Sequence, residues 1–429
     1  MDFDMLGLPP RLLTNLADLN ITDPTPIQSQ AIPHALNGRD VMGLAQTGTG
    51  KTAAFGLPIV TTIMRDQTRP GPKQVHGLIL APTRELAKQI VDNLRAYAAN
   101  TPVKIGLVTG GNSINGQINR LAKGTDLLVA TPGRLIDLME QKAVRLDATR
   151  FLVLDEADQM LDLGFIHALR QIARVLPKER QTMLFSATMP KQMAEIASAY
   201  LTDPVRIEVT PPGKPVERIE QSVHFVEQKA KTPLLVHHLD LHRTEAALVF
   251  ARTKHGAEKL KRHLEDKGFA AGSIHGNKSQ GQRDRALKAF REGELTVLVA
   301  TDVAARGIDI PSVRYVYNYD LPNVADNYVH RIGRTARAGR DGTAIAYCSA
   351  EEMGEFKAIV KVMGREIAVA SGEAWEPVKP AGRGNGRGRG GRPGGGGHGA
   401  KHGGGHKPAH AKPAAAKGRP RRQRRAKAA

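Results

Sequence analysis

The sequence predicts two α/β domains in tandem, each on a parallel sheet, with a short linker between them and a disordered basic tail behind. Three observations carry this reading. Short apolar runs of strand length alternate with longer helical patterns along most of the 429 residues, as expected of strands joined by helical crossovers. The alternation is interrupted at Pro211-Pro212-Gly213-Lys214-Pro215, which breaks regular structure and reads as a linker. After Trp375 no aromatic residue appears; Gly, Arg, Lys, Pro, Ala and His dominate and cannot bury a core. The expected boundaries are 1–210, a linker at 211–217, 218–370, and a tail over 371–429 that is strongly basic from 378.

In the first domain the expected strands are Asp40 to Leu44, Gly77 to Leu80, Asp126 to Ala130, Phe151 to Leu154 and Thr182 to Phe185, with a helix over Glu85 to Ala99. Directly after the first comes Ala45-Gln46-Thr47-Gly48-Thr49-Gly50-Lys51-Thr52. A glycine-rich turn between a strand and a helix is the order a phosphate-binding loop requires. Freed backbone N–H groups wrap a phosphate at the positive end of the helix. Lys51 then reaches the β- and γ-phosphates, and the Thr52 hydroxyl ligates magnesium. The general pattern begins with Gly where this chain has Ala45, and a Gly/Thr-rich turn without a ligand is the plain alternative.

Asp155-Glu156-Ala157-Asp158 follows the run Phe151-Leu152-Val153-Leu154. Open α/β sheets bind ligands at the carboxyl ends of their strands. Acids gathered there are costly without a positive partner. Magnesium on Asp155, partly through water, supplies that charge, and Glu156 orients an attacking water. The alternative is a solvated acidic turn. The phosphate loop and the acids together favour a nucleoside triphosphatase.

The second domain is expected to contain strands over Gln221 to Val226, Ala247 to Phe250, Thr296 to Val299 and Tyr315 to Tyr317. Its helices run over His255 to Lys267, closed by Gly268, and over Gln280 to Arg291. No phosphate loop occurs in it.

Composition narrows the class. Apolar residues make up 41%, enough for packed cores, and no uncharged apolar run is long enough to span a membrane. The N-terminus lacks a secretory signal, and the single Cys348 forms no internal disulfide, which suits a reducing cytosol. The formal charge is +20, of which residues 378–429 carry +15, leaving +5 for the first 377. Charge alone does not choose among nucleic acid, anionic membrane and acidic protein.

These motifs resemble the DEAD-box RNA helicases of superfamily 2, whose cores are RecA-like, over nearly everything from Phe3 to about Met363. Pro24-Thr25-Pro26-Ile27-Gln28 looks like the family's Q motif, with Phe3 upstream. The resemblance implies that Gln28 reads adenine and that Ile21 packs on the base where relatives often stack an aromatic. Phe3, Ile21, Gln28, Thr47, Gly48, Thr49, Gly50, Lys51, Thr52 and Asp309 are thereby implied as nucleotide-binding. Pro82, Thr83, Arg84, Gly110, Gly111, Thr131, Pro132, Gly133 and Arg134 in the first domain resemble RNA-contacting motifs. Arg252, Gly276, Gln280, Arg283 and Thr301 do so in the second. Asp158, Ser186, Thr188 and His330 are implied to couple nucleotide to strand separation.

His330-Arg331-Ile332-Gly333-Arg334-Thr335-Ala336-Arg337 resembles the motif that supplies arginine fingers. Arg334 and Arg337, three apart, share a face if they lie on a helix. Ala336 stands where relatives often have Gly, a methyl expected to be tolerated. Glu156, Lys51, Asp155, Arg334 and Arg337 are the implied catalytic set, with ATP and Mg2+ as cofactors.

The resemblance, closest to bacterial RhlE-type members, implies an ATP-dependent RNA helicase that closes on RNA, separates short duplexes and remodels ribonucleoproteins. It further implies RNA as partner, with ribosomal precursors or RNA-degradation proteins, no membrane, a monomer, and the cytoplasm. A DNA-directed translocase and an RNA clamp or annealing chaperone remain as rival functions.

Overall fold

The computed structural model describes residues 2–45, 48–189, 191–209, 219–305, 313–336 and 341–375. Among these described residues, fourteen strands fall into two seven-stranded sheets. The first holds β1 (Val41–Leu44), β2 (Val75–Leu80), β3 (Ile105–Val108), β4 (Thr125–Ala130), β5 (Phe151–Leu154), β6 (Gln181–Ser186) and β7 (Val205–Glu208). The second holds β8 (Ile219–Phe225), β9 (Ala247–Phe250), β10 (Ala271–Ile274), β11 (Val297–Ala300), β12 (Tyr315–Asn318), β13 (Gly342–Cys348) and β14 (Ala368–Ser371).

Every pairing is parallel, and the spatial orders are β3-β4-β2-β5-β6-β1-β7 and β10-β11-β9-β12-β13-β8-β14. Counting strands within each sheet gives the same order twice, 3-4-2-5-6-1-7. The two halves are therefore two copies of one topology.

Alternation along each strand explains why both faces of each sheet are covered. Phe151 and Val153 of β5 enter one apolar core, while Leu152 and Leu154 enter another on the opposite face. In β9, Leu248 and Phe250 point to one core and Ala247 and Val249 to the other. A period of two with apolar residues in both phases is what a fully buried parallel strand needs. The expected helix over Glu85 to Ala99 is observed as Arg84–Tyr97, that over His255 to Lys267 as Lys254–Asp266, and that over Gln280 to Arg291 at those residues.

Two boundary details differ from the sequence reading. β14 reaches Ser371, whose hydroxyl bonds His224 at 2.7 Å, and Trp375 packs against the second core. The second half thus runs past 370, because a short strand of small residues pairs at the sheet edge without a strong apolar signal of its own. Cys348 is buried at the end of β13, its thiol pushed up to about 12 by burial. The linker expected at 211–217 lies outside the described residues, as does the tail from 376. Among the described residues no helix is long and apolar enough to cross a membrane.

Candidate functional site

Strand order places the chemistry. β1, β6, β5 and β2 are adjacent, so the segments leaving their carboxyl ends converge on one edge of the first sheet. From β1 the chain enters the phosphate loop and the helix Lys51–Asp66. Gly50, at φ +88, caps that helix in the left-handed region, and a β-carbon there would run into the Gln28 amide. Only glycine meets both demands.

Gln28 ties this loop to the segment before it. Its Oε1 accepts the Thr25 N–H at 3.0 Å and its Nε2 donates to the Gly50 carbonyl at 3.0 Å. Ile21 is half-buried against the same core, and Phe3, 4% exposed, lies within that core.

Lys51 is buried; its Nζ donates to the Ala45 carbonyl at 3.0 Å and stands 4.0 Å from Asp155 Oδ1. Thr52 follows it on the helix. Asp155 and Glu156, each 2% exposed, close β5. Burial pushes the Asp155 carboxyl up, against the pull of Lys51. Glu156 occupies the left-handed region at φ +51 and starts the helix Ala157–Asp162. Neither of its carboxylate oxygens has a hydrogen-bond partner. Burial raises this carboxyl to about 7, opposed by Lys51 and Arg334.

A non-glycine residue at positive φ, buried and unpaired, is an expensive arrangement that a fold keeps only where it is used. The donor set fits magnesium. The Thr52 hydroxyl and Asp155 carboxylate are hard oxygen ligands, and the orphaned Glu156 oxygens suit a metal-bound water.

The third acid has a different task. Asp158 Oδ2 accepts from the Ala187 N–H at 3.1 Å, the Thr188 N–H at 2.9 Å and the Thr188 hydroxyl at 3.0 Å. Ser186 Oγ donates to the Thr188 carbonyl at 2.7 Å. The turn after β6 is thereby fastened to the helix that follows the acids.

The expected RNA-contacting residues of the first half sit on turns at the carboxyl ends of β2, β3 and β4. Pro82 and Thr83 lead into the helix Arg84–Tyr97, which Thr83 caps by accepting the Leu86 N–H at 3.3 Å. The Arg84 guanidinium lies against Gly110 and Gly111. Thr131 precedes the helix Pro132–Glu140, which holds Gly133 and Arg134, and Arg134 donates to the Asn112 carbonyl at 3.0 Å. These residues form one neighbourhood.

The second half divides its expected residues. Gly276 has open space around it, Thr301 is buried behind β11, and Gln280 and Arg283 lie on one helix. Gln280 Nε2 donates to Glu85 Oε1 at 2.9 Å, and the Arg283 guanidinium pairs with the same oxygen at 3.1 Å. These bonds join the two halves. Arg252 is instead engaged within its own half, pairing with Glu352 at 3.0 Å and with Glu355 at 3.8 Å. Glu85 and Glu352 were missed by sequence reasoning. A lone glutamate on a helix carries no local signal of a partner 195 residues away.

The condition under which the two arginines would share a helical face is not met at Arg334. The helix Asp326–Ile332 carries His330 and ends there, and Arg334 lies beyond it. Thr335 pairs with Val313 in a parallel bridge and donates its hydroxyl to the Val313 carbonyl at 2.6 Å, so the backbone leaves the helical path. Arg334 is nonetheless buried and close enough to Glu156 to lower its carboxyl.

Ala336 sits at φ +55, so its methyl meets a backbone constraint that the sequence reading did not foresee. Arg331 is bound at both ends, to Asp302 at 2.6 and 2.8 Å and to the Asp320 carbonyl at 2.6 Å. Thr47, Asp309 and Arg337 lie outside the described residues.

Comparison with known proteins agrees with this geometry. Residues 25–196 match the DEAD/DEAH box helicase family and residues 230–339 the helicase conserved C-terminal domain. A Bacillus cereus protein, DEAD-box ATP-dependent RNA helicase CshA, is 43% identical over 365 residues, 85% of this chain and 69% of its own length. A Listeria monocytogenes protein, ATP-dependent RNA helicase CshA, is 41% identical over 374 residues, 87% of this chain and 71% of its own length. Among solved structures, Saccharomyces cerevisiae Dbp5 bound to RNA and ADP BeF3 superposes with a TM-score of 0.76 at 34% identity, over 86% of this chain and 95% of that one.

Proposed function

This chain belongs to the DEAD-box ATP-dependent RNA helicases, and from that premise we propose that RNA drives ATP hydrolysis by joining its two RecA-like halves. The carrying observation is the division of the site. Lys51, Asp155 and Glu156 belong to the first half, whereas Arg334, whose charge reaches Glu156, belongs to the second.

ATP would rest on the turn at Gly48 to Thr52, with Gln28 at the adenine. Thr52 and Asp155 would hold magnesium, which would supply positive charge against the phosphate oxygens. Glu156, buried and unpartnered, orients the attacking water and takes its proton. Arg334 offsets charge at the transferring phosphoryl group.

RNA laid across the turns at Arg84, Gly110 and Arg134 and across Gly276 and Thr301 favours closure, because it contacts both halves only when they meet. Glu85, Gln280 and Arg283 add a protein bridge to that state. Asp158 carries the nucleotide's position to the turn at Ser186 and Thr188. Strand separation then follows from bending one strand so that its partner cannot stay paired. The basic tail would add affinity without base choice, since it has no aromatic residue to stack.

RNA clients such as ribosomal precursors or degradation substrates, a monomeric state and a cytoplasmic location fit this reading. The test is ATP turnover without nucleic acid, with single-stranded RNA and with single-stranded DNA of the same sequence. RNA should stimulate turnover strongly and DNA weakly; equal rates in all three would remove the mechanism.

A further inference from the structure

The edge of the first sheet carries a second cationic surface, separate from the turns already assigned. A groove of about 310 Å³ runs beside β3, the outermost strand, between the helix Arg84–Tyr97 and the helix Ile114–Leu121. Arg95, Lys104, Arg120 and Lys123 line it, all four are exposed, and no acid is among the lining residues.

None of the four makes an ion pair among the described residues; Arg95 only donates to the Ile105 carbonyl at 3.1 Å. The nearby acids are already engaged. Asp126 is buried and accepts from Arg69 and from the Lys104 backbone N–H, and Asp92 pairs with Lys88. Four unpaired cations around one groove repel one another unless an anion lies among them.

Continuity with the assigned face identifies that anion. Gln117, part of the groove wall, accepts the Thr109 N–H at 3.2 Å and donates to the Thr109 carbonyl at 3.0 Å. Thr109 immediately precedes Gly110 and Gly111, the turn on which Arg84 lies. The groove therefore begins where the expected RNA path reaches β3 and follows the strand back to Lys104, five residues and about 16 Å away.

We propose that single-stranded RNA extending beyond the core path turns along this edge and rests its phosphates on Lys104, Arg120 and Lys123. No aromatic lines the groove, so it grips backbone and reads no bases. The inference rests on the RNA-driven reading above and deepens it, since it lengthens the footprint and makes affinity depend on strand length. Lysines beside an exposed edge strand also discourage edge-to-edge pairing, and the experiment separates the two roles.

Full-length protein and a triple variant, Lys104→Gln, Arg120→Gln and Lys123→Gln, are titrated with uridine strands of about 8 and about 20 nucleotides in the presence of a non-hydrolysable ATP analogue. The variant should bind the short strand as wild type does and keep its turnover at saturating short RNA. Its affinity for the long strand should fall about tenfold, with the slope of log affinity against log salt shallower by about 2, from three contacts at about 0.7 each. The charge-preserving variant Lys104→Arg, Arg120→Lys and Lys123→Arg should restore both, which excludes a folding defect.

Unchanged long-strand binding, or an equal loss on both strands, would overturn the groove. A wild-type protein that the short strand fails to stimulate would instead overturn the RNA-driven mechanism itself.

Discussion

Glu156 concentrates the cost of the site in one side chain. It is buried, at φ +51, with neither oxygen partnered. Glu156→Gln removes a buried charge and keeps the shape, so without nucleotide and magnesium the melting temperature at pH 8 should rise by several degrees. Turnover should fall on the order of 10³-fold, the scale of a lost general base, while ATP still binds. Calorimetry and a phosphate-release assay check both, and normal turnover would remove Glu156 from the chemistry. Ala336, at φ +55, holds a smaller strain. Ala336→Gly should gain about 0.5 kcal/mol, the left-handed penalty less glycine's extra freedom in the unfolded chain. Urea unfolding that shows a net loss would mean the methyl contributes more than it strains.

Two elements of the second half carry predictions of their own. The helix Gln280–Arg291 reaches across to Glu85, with the Arg283 and Glu85 side chains only 12% and 6% exposed. Removing either partner leaves the other buried and unpaired. Glu85→Ala and Arg283→Ala should each raise the RNA concentration for half-maximal ATPase, and the double variant should be no worse than the poorer single one. Strictly additive losses would deny that the bridge acts as a unit. The helix Lys231–Leu241 sets His238 against Tyr317 and Tyr347 and 4.9 Å from His224. Burial, and then the neighbouring histidines, push His238 down to about 4. A depressed imidazole favours the folded state fully above its unfolded value of about 6.5 and loses that contribution as pH falls towards 4. Melting followed by circular dichroism should show this acid limb in the wild type and a flatter one in His238→Gln.

Across the whole molecule, one topology is used twice and only the first copy carries a phosphate loop. The charge is as uneven as the chemistry, with +15 of the +20 in residues 378–429. Deleting them should flatten the salt dependence of RNA binding and leave turnover at saturating RNA nearly unchanged. A collapse of turnover would make the tail part of the catalytic unit. The strands named from sequence were legible because most are buried on both faces and read as apolar runs, whereas β3 and β7, only partly buried, and β10 and β13, rich in small residues, were not named. Nor was β14, because Ala368 to Ser371 is short and its residues stay exposed.

What the sequence determined by itself was local. A glycine-rich turn, a strand ending in acids and turns rich in Pro, Gly and Arg each need only neighbours a few residues away, so spacing reveals them. Tertiary structure decided the partners. It brought Arg334 within electrostatic reach of Glu156, joined Glu85 to Gln280 and Arg283, paired Arg252 with Glu352, and ended the helix before Arg334. Each of these depends on which strands lie side by side, and a linear pattern holds no record of that order.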